Sequence, residues 1–361
     1  MRIGYMQKKL IALAITAAFA SAPAFADTQV YGLLDTGFGS VSNTVQPAGT
    51  KTGESGIAFS QNQTSKVGIK SSEDLGNGMS ITYQLEMGLS SNPAADANFG
   101  KPAIDATHKG FSTNSAIGPD RIMALDLNLG EGTDLIAGKV SSPLRNIVYG
   151  NDAQYGANLV GNLVTMDSSL TARAVALAAV HKFGAITGSL ALLDNTTTAD
   201  GTPDVKNGNG FEATGVYSQD ALSVSLGYRS TEATANAGAV QSSDIKTKDA
   251  ILAANYNFGV AKLYGQFAQV KVDQSVGTAS TDKKTYETAG VNVPFTSTLA
   301  GYVQLSSGKH ETTVSNNYSA YAVGARYDLS KATWAYAHVG SAKEDNVSKV
   351  DQVAVGLVHA F

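Results

Sequence analysis

The chain has 361 residues, with 26 Lys+Arg against 30 Asp+Glu, 37 Gly, 8 Pro and no Cys. The slightly acidic balance excludes the basic surface of a nucleic-acid binder, and the missing cysteines exclude a disulfide framework. A mean hydropathy near zero is too polar for a bundle of membrane helices, yet it suits strands that keep one face in water.

Arg2, Lys8 and Lys9 precede an apolar run over 10–20, which ends in Ser21-Ala22-Pro23 and the small-x-small segment Ala24-Phe25-Ala26. Charged start, apolar middle and cleavable end make a secretory signal peptide over 1–26, with cleavage expected before Asp27. The run is far short of the roughly 20 apolar residues that a spanning helix needs. Residues 27–361 are left as one folded unit, since no linker or composition break divides them.

Strand-length segments follow at 28–40, 65–72 and 79–90. The third is the clearest. Met79, Ile81, Tyr83, Leu85, Met87 and Leu89 take one face, and Ser80, Thr82, Gln84, Glu86, Gly88 and Ser90 take the other. A two-residue period is a strand between two different solvents. Segments at 121–129, 133–140, 172–181, 185–194 and 210–218 come next, the Ala-rich 172–181 being blurred. Over 221–231, Leu222, Val224, Leu226 and Tyr228 oppose Ser223, Ser225, Gly227 and Arg229. Then come 248–257, 260–271, 284–293, 298–309, 318–328, 332–343 and 350–361. In the last, Val353, Val355, Leu357 and Phe361 face away from Gln352, Ala354, Gly356 and Val358.

The connections have a rhythm. Short turns fall at 73–78, 130–132, 182–184, 219–220, 258–259, 294–297 and 328–331. Long polar stretches fall between them at 41–64, 91–118, 141–171, 195–209, 232–247, 272–283, 310–317 and 344–349. Alternating short and long connections mark an up-and-down barrel with two unlike rims. The fold expected is all-β, a 16-stranded antiparallel transmembrane β-barrel. The strand count is even, as single-chain bacterial barrels require. The first strand should pair with the last, because lipid tolerates no unpaired edge. Trp334, Tyr31, Tyr228, Tyr321 and Tyr327 are candidates for interfacial aromatic girdles, although strand composition explains many tyrosines equally well.

Several segments resemble the general porins of β-proteobacteria. They are Val30-Tyr31-Gly32-Leu33-Leu34-Asp35, Ser65-Lys66-Val67-Gly68-Ile69-Lys70, Ser72-Glu73-Asp74-Leu75-Gly76-Asn77-Gly78 with Tyr83-Gln84-Leu85-Glu86, Arg326-Tyr327-Asp328-Leu329-Ser330-Lys331, and Val355-Gly356-Leu357-Val358-His359-Ala360-Phe361. The resemblance implies an outer-membrane, trimeric diffusion porin without a cofactor. Its third long loop, here about 141–165, would fold inward as a constriction, and the loop at 91–118 would latch a neighbouring subunit. Its partners would be ions and small hydrophilic solutes, outer-membrane lipid and lipopolysaccharide, and the barrel-assembly machinery that reads the Phe361 end. Lys66 and Lys139 stand where the family usually has Arg, and Val358 and Ala360 replace basic residues. These departures argue against strong anion selectivity.

A pore needs a wet path and a field. Lys66 and Lys70 share the polar face of 65–72 and are expected to form a basic wall. Asp152 is the acidic loop candidate and Arg145 a basic one, with surface salt bridges as the alternative for both. Asp35 and Glu86 lie on polar faces. Arg121 and Lys139 match basic positions of the family but share parity with apolar neighbours, so they reach the lumen only through a bulge or a strand end that turns in. Arg229 and Arg326 have luminal parity. No nucleophile elbow, Walker loop or zinc spacing appears, and no enzyme is expected. The reading is a passive channel. The alternatives are a substrate-specific channel, a plugged structural or adhesin barrel, and a secreted soluble β-protein.

Overall fold

The computed structural model describes residues 27–45, 48–59, 62–89, 121–194, 196–197, 205–237, 240–276, 279–312 and 314–361. The expected signal peptide and the whole of the expected latch, 91–118, lie outside these residues.

Eighteen strand segments form one antiparallel sheet that closes on itself. They are β1 (Asp27–Val45), β2 (Thr50–Phe59), β3 (Lys66–Gly76), β4 (Met79–Gly88), β5 (Ile122–Asn128), β6 (Thr133–Ser141), β7 (Arg173–Phe183), β8 (Ile186–Leu193), β9 (Thr196–Thr197), β10 (Val205–Gln219), β11 (Leu222–Ala237), β12 (Val240–Asn257), β13 (Lys262–Gln274), β14 (Ser280–Pro294), β15 (Leu299–Glu311), β16 (Ser315–Asp328), β17 (Thr333–Glu344) and β18 (Ser348–Ala360). β2 pairs with the upper half of β1 and β3 with its lower half, so those two are one stave, interrupted by the irregular residues 62–65. β9 prolongs β8 along β10. The result is a closed 16-stranded barrel.

Closure runs from Leu33↔Ala360 to Val45↔Ser348. It ends in two bonds between Gly32 and Phe361, N–H to O at 2.9 Å and 3.1 Å. Each such amide left open in hydrocarbon would cost several kcal/mol. The turns expected to be short are short, and they lie on the rim that carries both termini. Asn77 (φ 54°) and Gly78 (φ 77°) make the tight one between β3 and β4, a turn that needs two left-handed residues. Several connections expected to be long are not: β17 and β18 are separated by 345–347 alone.

The outer surface carries Leu34, Phe38, Ile69, Leu85, Leu177, Leu226, Leu252, Phe267, Val303, Leu305, Val353, Val355 and Leu357, all exposed. This is the lipid face that the period predicts. Tyr228, Tyr321 and Tyr327 are exposed with it, whereas Trp334 is buried and Tyr31 reaches Glu86 on the luminal side. Those two do not belong to an outer girdle.

Of the luminal tyrosines that face a glycine across the ladder, four lie over it: Tyr31 on Gly68, Tyr286 on Gly308, Tyr302 on Gly324 and Tyr336 on Gly356. A Cβ on any of these glycines would run into the facing ring. The rings therefore lie flat on the wall instead of standing up into the lumen.

Candidate functional site

The segment between β6 and β7 turns into the barrel. It opens with helix α1 (Pro143–Gly150), whose N-cap Ser142 accepts from the Arg145 N–H. Proline at the first helical position suits this start, since its missing N–H has no helical partner there. The Leu144 N–H donates to Glu212 Oε1 at 2.7 Å, so a wall carboxylate meets the positive end of the helix. Leu144, Ile147 and Val148 are buried with Ile251, Ala253, Ala268 and Val270 of the wall. Beyond α1, Gln266 donates to Asn151 O (2.7 Å), the Ala153 N–H to Gln304 Oε1 (3.1 Å), and the Val160 N–H to Gln352 Oε1 (2.8 Å). At the far end of its reach the Asn158 N–H donates to Asn62 O, in the β2–β3 break, at 2.7 Å. The chain returns through α2 (Leu163–Met166) and a 3₁₀ turn, Ser169–Thr171, where Arg229 binds Ser169 O and Asp249. The infolded segment thus runs to about residue 172, past the expected 165.

Asp35 does not line open water. It is fully buried, accepts from the Asn62 N–H (2.7 Å) and the Tyr336 hydroxyl (3.0 Å), and holds the stave break against which the loop rests. Asp152 is likewise buried and is not an acidic wall. It accepts from the Gly156 N–H (2.8 Å) and Asn162 Nδ2 (3.1 Å), bracing the loop tip, and burial pushes its carboxyl up to about 6.

The cations gather where the loop leaves β6 and rejoins β7. Glu86 on β4 is bound by Lys66 Nζ at 3.1 Å and Arg121 Nε at 2.7 Å. Arg121 precedes β5, and the bend there turns it inward despite its parity. Arg145 projects from the other side of α1, stacks on Tyr149 at 4.2 Å and donates to its hydroxyl. Burial and the charge of Arg121 lower the Arg145 guanidinium below its usual value. Arg173, the first residue of β7, lies within charge range of Arg121, Arg145 and Glu86. Lys70 is exposed on the luminal parity, two same-face positions along from Lys66, near Asp126.

Lys139 stands apart. It pairs with Met123 and Val175, both exposed on the outer face, with no register shift to turn it inward. Arg326 is luminal but near the termini rim, tied to Asp328 at 2.6 Å. Arg173 escaped the sequence reading because it opens the blurred Ala-rich strand. The loop anchors Glu212, Gln304 and Gln352 were legible only as polar residues of inward parity.

The profile of the Gram-negative porin family matches residues 11–347. The chain belongs to that family. Outer membrane porin protein 32 of Delftia acidovorans is 26% identical over 365 residues, covering 98% of this porin and 94% of its own length. A major outer membrane protein P.IB of Neisseria gonorrhoeae is 25% identical, covering 93% of each chain. The fold is similar to that of the anion-selective porin from Comamonas acidovorans, with TM-score 0.68, 21% identity, and coverage of 93% of this chain and all of that one. It is also similar to Salmonella typhi OmpF, with TM-score 0.63, 15% identity, and coverage of 92% and 97%. The porin is an outer-membrane channel protein. Its barrel carries ions and small hydrophilic solutes by passive diffusion.

Proposed function

We propose that the narrow part of the path runs between the infolded loop and the wall at β3–β7, and that it favours anions. The observation that carries this is the charge count there: among the described residues, Lys66, Arg121, Arg145 and Arg173 share a single carboxylate, Glu86. Arginine stays protonated at any working pH, so the excess is permanent. Low-dielectric walls focus it on the water between. No opposed carboxylate enters from the loop, because Asp152 is spent on the loop's own N–H groups and the buried Asp167 on Ser169, Tyr286 and Lys284, and the field has one sign across the passage. Lys70 extends the basic wall toward the termini rim, and Lys139 has no part in it.

The test is the reversal potential of single channels in a KCl gradient. Chloride preference is expected, and Arg121, Arg145 and Arg173 changed together to Gln should abolish it. A wild-type channel that prefers potassium, or a triple variant that keeps the chloride preference, refutes the proposal. The reading also includes cleavage of residues 1–26, folding of 27–361 through assembly machinery that reads the Phe361 end, and a homotrimer bedded in lipid and lipopolysaccharide. A Vibrio cholerae OmpT of the same fold is described in a trimer form, which supports the trimer. Cross-linking of the native membrane into a species three times the monomer mass tests it.

A further inference from the structure

A strand that separates lipid from a wet lumen turns polar residues inward, and over β6–β8 this barrel does not. Val175 and Leu177 of β7 are exposed on the lipid side, so Ala174, Ala176, Ala178 and Val180 point inward. Across the ladder they meet β6 at Val140↔Ala174 and Ile136↔Ala178, and β8 at Ala176↔Leu193 and Ala178↔Ala191. The result is an apolar strip on the inner wall, about 20 Å long from Ala174 to Val180. Ile136, Val140, Ala174 and Val180 are half-buried and form its surface, with the buried alanines packed between them. Among the described residues, the cluster draws its members from the wall and none from the loop, whereas α1 rests farther round on Ile251 and Ala253. Alanine alone would keep the bore wide. Isoleucine and valine beside water carry a free-energy cost and ask for a solute that removes it.

The two ends of the strip differ. At the loop end Arg121 precedes the inward Ile122 of β5, and Arg173 precedes Ala174. Both belong to the cationic cluster with Arg145. The Nε of Arg173 is buried and has no hydrogen-bond partner among the described residues. At the termini end stand two carboxylates, Asp126 opposite Ile136 and Asp134 opposite Val180. Asp126 feels Lys70, and Asp134 accepts from Asn128 Nδ2 at 2.7 Å.

We propose that the strip is a binding track for a small organic anion with an apolar body, a straight-chain monocarboxylate. The carboxylate lies at Arg121 and Arg173, and the chain lies along Ile136, Val140 and Ala174. Arginine presents carboxylates with paired donors, and each methylene laid on the wall leaves water. Asp126 and Asp134 repel a carboxylate at the far end, so the molecule lies one way round. A sugar would leave both the arginines and the apolar wall unmatched. The inference rests on the anion-favouring reading of the passage and deepens it, since a field alone would rank anions by charge and size.

The experiment records chloride current through the purified protein in planar bilayers at pH 7, with acetate, butyrate or hexanoate added at constant ionic strength. Hexanol and hexylammonium are comparators of equal chain length. The half-blocking concentration is expected to fall about twofold with each methylene, roughly fifteenfold from acetate to hexanoate. Hexanol and hexylammonium should block no better than acetate. Ile136→Thr combined with Val140→Thr keeps β-branched side chains in the strand and should cut the acetate-to-hexanoate ratio to about twofold. Equal block by acetate and hexanoate overturns the proposal, as does block by hexanol or hexylammonium that matches hexanoate, or a double variant that keeps the full ratio. The wild-type series decides the matter even if the variant fails to fold. The reversal potential in a KCl gradient, taken on the same membranes without acid, separates the two readings. Chloride preference with a flat chain-length series removes the track alone, and potassium preference removes the anion-favouring passage and the track with it.

Discussion

Changing Glu86 to Gln removes the one carboxylate of the basic cluster among the described residues without altering its shape. Glu86 is 2% exposed and touches little water itself, so any effect on permeation must act through the field. Lys66, its partner at 3.1 Å, has a side chain 30% exposed and marks where solvent begins. An ion passing about 6 Å from the carboxylate feels ~0.7 kcal/mol at the permittivity of water, and ~0.4 kcal/mol after screening at 0.1 M salt. Losing that charge favours an anion and disfavours a cation by the same amount, a difference of about 0.8 kcal/mol or a fourfold rise in the chloride-to-potassium ratio. In a tenfold KCl gradient this moves the reversal potential by roughly 20–30 mV toward the chloride value, and more where low-dielectric walls confine the field. Arg121→Gln should shift it by a similar amount the other way. The double variant, which removes the pair, should return close to the parent. A Glu86→Gln shift toward potassium, or none, would place the cluster off the conduction path.

Gly324→Val puts a side chain where the ring of Tyr302 lies, an overpacking expected to cost about 1–3 kcal/mol. Heat-modifiable gel migration should show a lower unfolding temperature, partly restored by adding Tyr302→Ala. Asp152 has a folded value near 6 against an ordinary 3.8. A raised carboxyl penalises the packed loop as it charges, by up to about 3 kcal/mol above pH 6, and the penalty vanishes below pH 4. Open-channel flicker should therefore grow from pH 4.5 to pH 7.5, and Asp152→Asn should flatten that dependence. Deleting Phe361 removes both closing bonds to Gly32, so the yield of folded barrel should fall severalfold in a membrane extraction assay.

The lipid-facing half of the barrel could be read from residues such as Met79–Leu89, because a two-residue period appears wherever a strand separates oil from water. Where both faces are wet the period disappears. β2, with Thr50, Lys51, Thr52 and Gly53 at its start, read as loop for that reason, and so did the outer parts of β11 and β12. Where the loop covers the lumen the inner face turns apolar, as at Ile251, Val270 and Val358, which blurs the alternation from the other side. Val358, a departure from the family pattern, is buried in one cluster with Ala157 and Leu159 of the loop. Of the candidate residues, Lys66, Glu86 and Arg121 meet in one ion-paired group. Asp35 could not be told from a pore charge by parity, nor Asp152 by its place in the loop, since neither says whether backbone N–H groups already hold a carboxylate.

The rings laid flat on facing glycines keep the inner wall low at four positions. There the narrowing of the aperture is left to the loop. Exchanging residues 142–172 for another sequence of equal length would then retune sieving while leaving strand pairing untouched. Small side chains introduced at those glycines would instead tip the tyrosines upright and throttle the passage from its periphery.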